Sequence, residues 1–148
     1  IDLGAAPGSW SQYISSNLKC NKHLAIDLKE IEEIKNVKIL KGDFTDTEQQ
    51  NKINNYFGGK IDLIISDMAA DTTGNKSLDS YRAGELCLSA MDLALKILAI
   101  DGVFISKLFI KNLTKVVFPT PIGPSIAIYF GSGASCKAGS IRFLICLL

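Results

Sequence analysis

The residues most able to do chemistry follow short apolar stretches at separated points along the chain. A glycine turn, GAAPG at 4–8, comes directly after the apolar start IDL, and three later stretches are followed by Asp27, Asp43 and Asp67. Lys107 lies inside the apolar run VFISKLF. Because ligands of an open α/β sheet bind at the carboxyl ends of its strands, we expect these residues to meet at one edge of a sheet.

The glycine turn favours a nucleoside ligand without phosphates. Gly4 and Gly8 permit a tight strand-to-helix turn and a close approach of the backbone to a ligand. The dinucleotide fingerprint G-x-G-x-x-G is not matched, since Ala6 stands where its second glycine belongs and Pro7 stiffens the loop. A pyrophosphate needs more free backbone N–H groups than this turn offers. An ordinary turn with no ligand is the alternative.

The aspartates match the chemistry of S-adenosylmethionine. Asp27 follows Gly8 by 19 positions, close to the spacing at which an acidic residue binds ribose hydroxyls in this architecture. Asp43, in GDF, can accept a hydrogen bond from an adenine amino group. Several carboxylates also suit a cationic ligand, and a sulfonium is one. Each aspartate taken alone is equally well explained as a cap of the turn after a strand.

Lys107 and Asp67 form a candidate catalytic pair. Lysine is rarely buried without a partner. The functional hypothesis is that Lys107, buried or held by Asp67, acts on a substrate hydroxyl group. The alternative is a lysine whose stem packs on apolar surface while its ammonium reaches water. We assign no function to His23, the one histidine, because it starts a strand away from the glycine turn.

The elements that must position these residues alternate between strand and helix patterns. The predicted strands are 1–3, 23–28, 37–44, 61–68 and 103–109. The predicted helices are 10–18 with Ser9 as N-cap, one from Thr45 or Asp46 to residue 56, and one from Asp79 or Ser80 to just before Gly102. This alternation predicts an α/β fold that is Rossmann-like, with a mostly parallel sheet and right-handed crossovers.

Composition bounds the class of protein. At 148 residues with 47% apolar and 21% charged residues, the chain is expected to form one globular domain. No apolar run reaches the roughly 20 residues of a membrane span, so we expect no membrane association. Cys20, Cys87, Cys136 and Cys146 lack C-x-x-C spacing, which predicts no metal site and reduced thiols in the cytoplasm. We also expect a monomer.

The amino-acid composition of the chain changes near residue 110. Residues 111–148 contain three closely spaced prolines and no acidic residue. We therefore predict a core at 1–110 and an atypical tail at 111–148. Two interpretations stay open: an unusual C-terminal subdomain, or a segment foreign to the domain, frameshifted or disordered.

Five motifs in order resemble the FtsJ/RrmJ-type ribosomal RNA methyltransferases. They are DLGAAPGSWSQY (2–13), AIDL (25–28), GDF (42–44), SDMAADTTG (66–74) and ISKLF (105–109). The resemblance covers roughly residues 1–110. It implies a Rossmann-like methyltransferase fold, S-adenosylmethionine as cofactor, and methylation of a ribose 2′-hydroxyl in ribosomal RNA of the large subunit.

The resemblance also implies site residues. The cofactor-binding residues it implies are Gly8, Trp10, Asp27, Asp43 and Asp67. Of the family's Lys-Asp-Lys-Glu catalytic set, Asp67 and Lys107 match the middle two members.

The chain departs from the family in several places. The family's first catalytic lysine lies upstream of the glycine motif, and no glutamate follows Lys111. Ser9 and Ala70 replace a glycine and a proline. We therefore expect a fold incomplete at both ends, and a catalytically dead cofactor-binding fragment is the alternative function. A nicotinamide-dependent dehydrogenase or a chain without a stable fold are further alternatives.

Direct sequence evidence for RNA binding is weak. Five lysines could form a basic rim, although a solvated face explains them equally well: Lys19, Lys22, Lys35, Lys38 and Lys41. The ribosomal substrate therefore follows from the resemblance.

Overall fold

The computed structural model describes residues 1–68 and 73–108, together with the backbone of four strands between 115 and 147. The first five strands are β1 (Asp2–Leu3), β2 (Leu24–Asp27), β3 (Lys38–Lys41), β4 (Ile61–Ser66) and β5 (Leu98–Leu108). The helices between them are α1 (Ser9–Asn17), α2 (Thr47–Phe57) and α3 (Lys76–Ile97). The later strands are β6 (Lys115–Phe118), β7 (Ile126–Tyr129), β8 (Ser135–Ala138) and β9 (Ile141–Leu147).

Seven strands form one sheet in the order β3-β2-β1-β4-β5-β9-β8. The neighbours from β3 to β9 are parallel, and β8 pairs antiparallel with β9. The predicted α/β fold with a mostly parallel sheet is confirmed. Since β1 lies between β2 and β4, the strand order reverses there, and a crevice is expected at the carboxyl ends of β1 and β4.

The core lies where the helices cover this sheet. Leu3, Leu24 and Ile64 are completely buried in the central strands, and Phe104 is buried in β5. Ala90 and Ala94 of α3 are also buried, which lets that helix approach the sheet closely. Burying a large apolar side chain contributes about 1.5–3 kcal/mol each, so these residues fix the strand ends in place.

Two predicted helix starts are wrong. The N-cap of α1 is Gly8, with φ of +113°, and Ser9 is already the first helical residue. The N-cap of α3 is Asn75, whose side chain accepts from the Ser77 and Leu78 N–H groups. Asp79 instead bonds backward to Thr73 through its Oδ1. The hydrogen bonds that the Asn75 side chain accepts from the two following N–H groups therefore determine where α3 begins.

Part of the predicted organisation falls outside the described residues. The residues that the structure does not describe are 69–72, 109–114 and the segments between the later strands. The boundary at residue 110 and the nature of the tail stay predictions. Within the described part of the chain, no helix is long and apolar enough to cross a lipid bilayer.

Candidate functional site

A crevice opens at the carboxyl ends of β1, β2, β3 and β4. Its cavity has a volume of about 380 Å³, which lies in the range of pockets that hold small organic ligands. All three predicted aspartates line it: Asp27, Asp43 and Asp67. The crevice therefore brings together carboxylates that are up to 40 positions apart in the sequence.

Gly4 forms part of the cavity wall and requires the absence of a side chain. Its φ is +72°, and a Cβ at this position would overlap Met68. The N–H groups of Gly4 and Ala5 both donate to the Ile26 carbonyl, at 2.9 and 3.2 Å. The turn is thus bonded to β2, the strand that carries Asp27.

The Asp27 carboxylate is held by two backbone donors. Its Oδ2 accepts from the Ala6 N–H at 2.9 Å and its Oδ1 from the Lys29 N–H at 2.8 Å. The side chain is half-buried at the end of β2. Each carboxylate oxygen can accept more than one hydrogen bond, so this fixed group can still accept from ligand hydroxyls.

Asp43 follows β3 and forms a local turn. Its Oδ1 accepts from both the N–H and the hydroxyl of Thr45, at 2.8 and 2.7 Å. Gly42 N–H donates to the Asp27 carbonyl at 2.9 Å, which places the two acidic residues on neighbouring strand ends. The turn cap and the ligand contact proposed from sequence are therefore compatible.

Asp67 and Lys107 follow paired positions on neighbouring strands. Ser66 of β4 is in register with Ser106 of β5, so the next residue on each strand is Asp67 and Lys107 respectively. The Asp67 N–H donates to the Leu3 carbonyl at 3.3 Å. The side chain of Lys107 lies outside the described residues, so its contact with Asp67 stays a prediction.

Gly8 and Trp10 do not line the cavity in the described structure. Neither is among the described residues that line it. A Cβ on Gly8 would come within 3.0 Å of Ile34 Cδ1, and Trp10 is half-buried on α1. Their predicted contact with the cofactor stays a prediction.

Sequence reasoning missed the apolar part of the wall. Phe44 and Met68 each follow a predicted aspartate directly, and that adjacency was the available signal. Leu86 comes from α3 and had no local signal, because only the packing of the helix on the sheet brings it to the cavity. The apolar wall can contact the faces of a flat ring.

Two lysines of the predicted basic rim have structural partners. The Lys22 ammonium donates to the Tyr56 and Phe57 carbonyls at the end of α2, both at 2.9 Å. Lys41 pairs with Glu30 at 2.9 Å. Lysine at a helix C-terminus is favoured by the unpaired carbonyls there, so these contacts add nothing to an RNA-binding interpretation.

The carboxylates that line the cavity can bind a cofactor that carries hydroxyl, amine and cationic groups. No group of three histidine, cysteine or acidic side chains within the described residues is arranged to hold a metal ion.

Comparison with known proteins is consistent with this geometry. The profile of a family described as FtsJ-like methyltransferase matches residues 1–147. A curated relative from Pelagibacter ubique, named ribosomal RNA large subunit methyltransferase E, is 51% identical over 112 residues. That alignment covers 76% of this chain and 55% of the relative. A protein of the same name from Rickettsia akari is 44% identical over 115 residues, covering 74% of this chain and 51% of the relative.

The chain thus spans about half the length of these curated relatives. Among solved structures, a ribosomal RNA methyltransferase from Plasmodium falciparum superposes with a TM-score of 0.67 at 32% identity, covering 75% of this chain and 66% of the other. A short chain dehydrogenase family protein from Francisella tularensis superposes with a TM-score of 0.51 at 12% identity, over 72% of this chain and 48% of the other. At that identity the likeness shows a shared fold alone.

Proposed function

The chain belongs to the FtsJ-like methyltransferase family, and from that premise we propose that it binds S-adenosylmethionine in the crevice and methylates a ribose 2′-hydroxyl of large-subunit ribosomal RNA. The observation that carries the proposal is the Asp27 carboxylate. It is fixed by two backbone N–H groups at the end of β2, on the wall of the cavity. In this fold an acidic residue at that position binds ribose.

The residues of the cavity fit this cofactor. Asp27 would accept from the ribose hydroxyls, and Asp43 would accept from the adenine amino group. The bare backbone of Gly4 leaves the wall open beside Met68. Three carboxylates at one edge of the sheet favour a cationic sulfonium by Coulomb attraction. The cavity volume and its partly apolar wall suit a nucleoside.

When bound, S-adenosylmethionine supplies an electrophilic methyl group on its sulfonium sulfur. Lys107 polarises or deprotonates the 2′-hydroxyl, and Asp67 orients Lys107. The register of β4 and β5 supports this pairing, because it sets the two residues at neighbouring strand ends. The remaining requirement is alignment of the hydroxyl oxygen with the methyl carbon, and a fixed scaffold contributes most through such positioning.

The partner in this proposal is ribosomal RNA of the large subunit, and the enzyme acts as a monomer in the cytoplasm without membrane attachment. The names of the curated relatives support the choice of RNA.

Isothermal titration with S-adenosylmethionine tests the cofactor half of the proposal. The wild-type chain should bind at micromolar concentration, and Asp27→Ala should lose at least about tenfold in affinity because two ribose hydrogen bonds disappear. Asp62→Ala is the matched control, since Asp62 is an exposed aspartate at the opposite end of β4. A folded wild-type chain that releases no heat of binding would contradict the proposal.

Transfer of a labelled methyl group to large ribosomal subunits that lack it tests the catalytic half. Lys107→Ala should bind the cofactor normally and lose about 100-fold or more in rate, as expected for a lost general base. If wild type binds the cofactor and transfers no methyl group, the binding-only alternative is correct.

A further inference from the structure

A buried polar cluster lies beside the glycine turn and has no part in the proposed methyl transfer. It consists of Asp2 on β1, Ser11 on α1 and His23 immediately before β2, each no more than 5% exposed. The Ser11 hydroxyl donates to Asp2 Oδ2 at 2.7 Å. The same hydroxyl oxygen lies 3.3 Å from His23 Nε2. Although the sequence predicts no role for His23, the structure places its ring against Ser11 of α1, the helix that follows the glycine turn. Through Ser11 it is linked to Asp2 of β1, the strand that precedes the turn.

The direction of these hydrogen bonds is determined by proton count. A serine hydroxyl has one proton to donate, and Ser11 donates it to Asp2. The Ser11 oxygen can therefore only accept from His23, so Nε2 must carry the histidine proton. Burial lowers the pKa of His23, which favours the neutral ring with a bare Nδ1. Among the described residues, neither that buried Nδ1 nor the buried Asp2 Oδ1 has a hydrogen-bond partner.

Helix α1 is held in part by this cluster. It has nine residues and no side-chain cap, and Ser11 and Ile14 are its buried residues. Helices this short are not stable alone in water, so contacts with the sheet must hold α1. The contacts with the sheet include the apolar packing of Ile14 and the hydrogen bonds of Ser11. The Ser15 hydroxyl also donates to the Lys35 carbonyl, at 2.6 Å.

The position of α1 in turn determines the end of the glycine turn. Gly8 is the N-cap of α1, and its carbonyl accepts from the Gln12 N–H at 2.8 Å. At the other end of the turn, Ala6 N–H is bonded to Asp27. A shift of α1 relative to β1 and β2 would therefore displace the backbone that anchors Asp27.

We propose that Asp2, Ser11 and His23 form a positioning network that holds the glycine turn in its cofactor-binding conformation. Cofactor binding and the hydrogen bonding of His23 are then coupled, and the coupling is reciprocal. These are positioning residues, because they act on the cofactor through the turn. The inference rests on the proposed function, since it concerns the same cofactor.

Cofactor affinity in matched variants distinguishes a network that positions the glycine turn from one that only stabilises the fold. Ser11→Ala should raise the Kd for S-adenosylmethionine about tenfold, as expected for one lost buried hydrogen-bond network. Ile61→Val is the control, because Ile61 is buried at the start of β4, the end of that strand opposite Asp67. It should lower the melting temperature while leaving the Kd unchanged. If Ser11→Ala binds as tightly as wild type, the network stabilises the fold only and the proposal is wrong.

NMR of the wild-type chain provides a test that needs no network variant. Because His23 is the only histidine, its ring nitrogens give unambiguous signals. We expect the neutral Nε2-protonated form, and a change in both ring nitrogen shifts when the cofactor is added. Asp27→Ala should show no such change. A wild-type ring whose signals stay constant at saturating cofactor would overturn the coupling.

Amide hydrogen exchange distinguishes failure of this inference from failure of the proposed function. If titration shows that wild type binds no cofactor, the proposed function fails. The network is then tested by exchange at the Ala6 and Gln12 amides without any ligand. Exchange should be faster in Ser11→Ala than in Ile61→Val. Equal rates in the two variants would contradict a role for the network in holding the turn.

Discussion

The Asp27 carboxylate binds two backbone N–H groups from different parts of the chain, Ala6 in the glycine turn and Lys29 after β2. This residue therefore organises the cavity wall before any ligand arrives. Its replacement should weaken the turn as well as remove the proposed ribose contact.

Gly4→Ala should destabilise the chain by about 2 kcal/mol or more. The left-handed φ of +72° disfavours any residue with a Cβ, by about 1–2 kcal/mol, and overlap with Met68 adds to this cost. Gly59→Ala is the control, because a Cβ there would meet no atom within 4 Å. Urea unfolding measures both. Equal free energies of unfolding for the two variants would show that the turn tolerates a side chain.

Asp2→Asn should change how stability depends on pH. Burial is the largest cause that raises the pKa of Asp2 from 3.8 to about 6, and the nearby Asp67 also raises it. A raised acid pKa means that the folded state binds the proton more tightly than the unfolded state. Wild-type stability from this group is thus fully present below about pH 4 and is lost as the pH rises through about 6.

The shift corresponds to about 3 kcal/mol. An amide side chain cannot ionise, so Asp2→Asn should gain up to that amount relative to wild type between pH 4 and pH 7. Urea unfolding of both chains at several pH values measures the difference. A difference that stays constant with pH would mean that Asp2 titrates normally in the folded chain.

At the scale of elements, capping side chains determine the first residue of a helix, which apolar periodicity alone does not predict. The apolar periodicity of α3 was visible in the sequence, whereas its first residue depended on which polar side chain reached the free N–H groups. Asn75 bonds two of them. For α2, the sequence left Thr45 or Asp46 as the cap, and the structure has Asp46 as N-cap, although its side chain forms no cap hydrogen bond.

Asn75→Ala should therefore cost about 1 kcal/mol of unfolding free energy, the usual value of a lost N-cap. Asp46→Ala is the comparison at the start of α2, and it should cost less because only the favourable charge near the helix N-terminus is lost. Thermal or urea unfolding of the two variants decides the order. A larger loss for Asp46→Ala would contradict the assignment of Asn75 as the effective cap.

At the scale of the whole molecule, the crevice joins two halves of the sheet. Asp27 and Asp43 belong to the side formed by β2 and β3, whereas Asp67 and Met68 follow β4. A ligand that contacts both sides binds the folded chain only. Its binding should therefore stabilise the entire domain.

S-adenosylmethionine at about 100 times its Kd should add about 2.7 kcal/mol of stability, which raises the melting temperature of a chain this size by roughly 5–10 °C. Asp62→Ala should show the same rise, and Asp27→Ala should show little. Differential scanning fluorimetry across a cofactor series measures it. A rise of equal size in Asp27→Ala would indicate binding elsewhere on the molecule.

The sequence by itself determined the strand and helix alternation and the residues at the strand ends. Buried parallel strands need continuous apolar runs, and the polar residue after each run marks its end. The glycine turn and the three aspartates were identifiable for that reason, as was the family resemblance of the motifs.

Only the tertiary structure decided which strands are neighbours, that Leu86 joins the cavity wall, and that Asp2, Ser11 and His23 meet. Each of these facts depends on contacts between residues far apart in the chain, and local patterns contain no information about such distances. His23 shows the difference most clearly. Its sequence position suggested a residue remote from the glycine turn. Packing of α1 against β1 and β2 instead brings the His23 ring to Ser11, three residues after the turn.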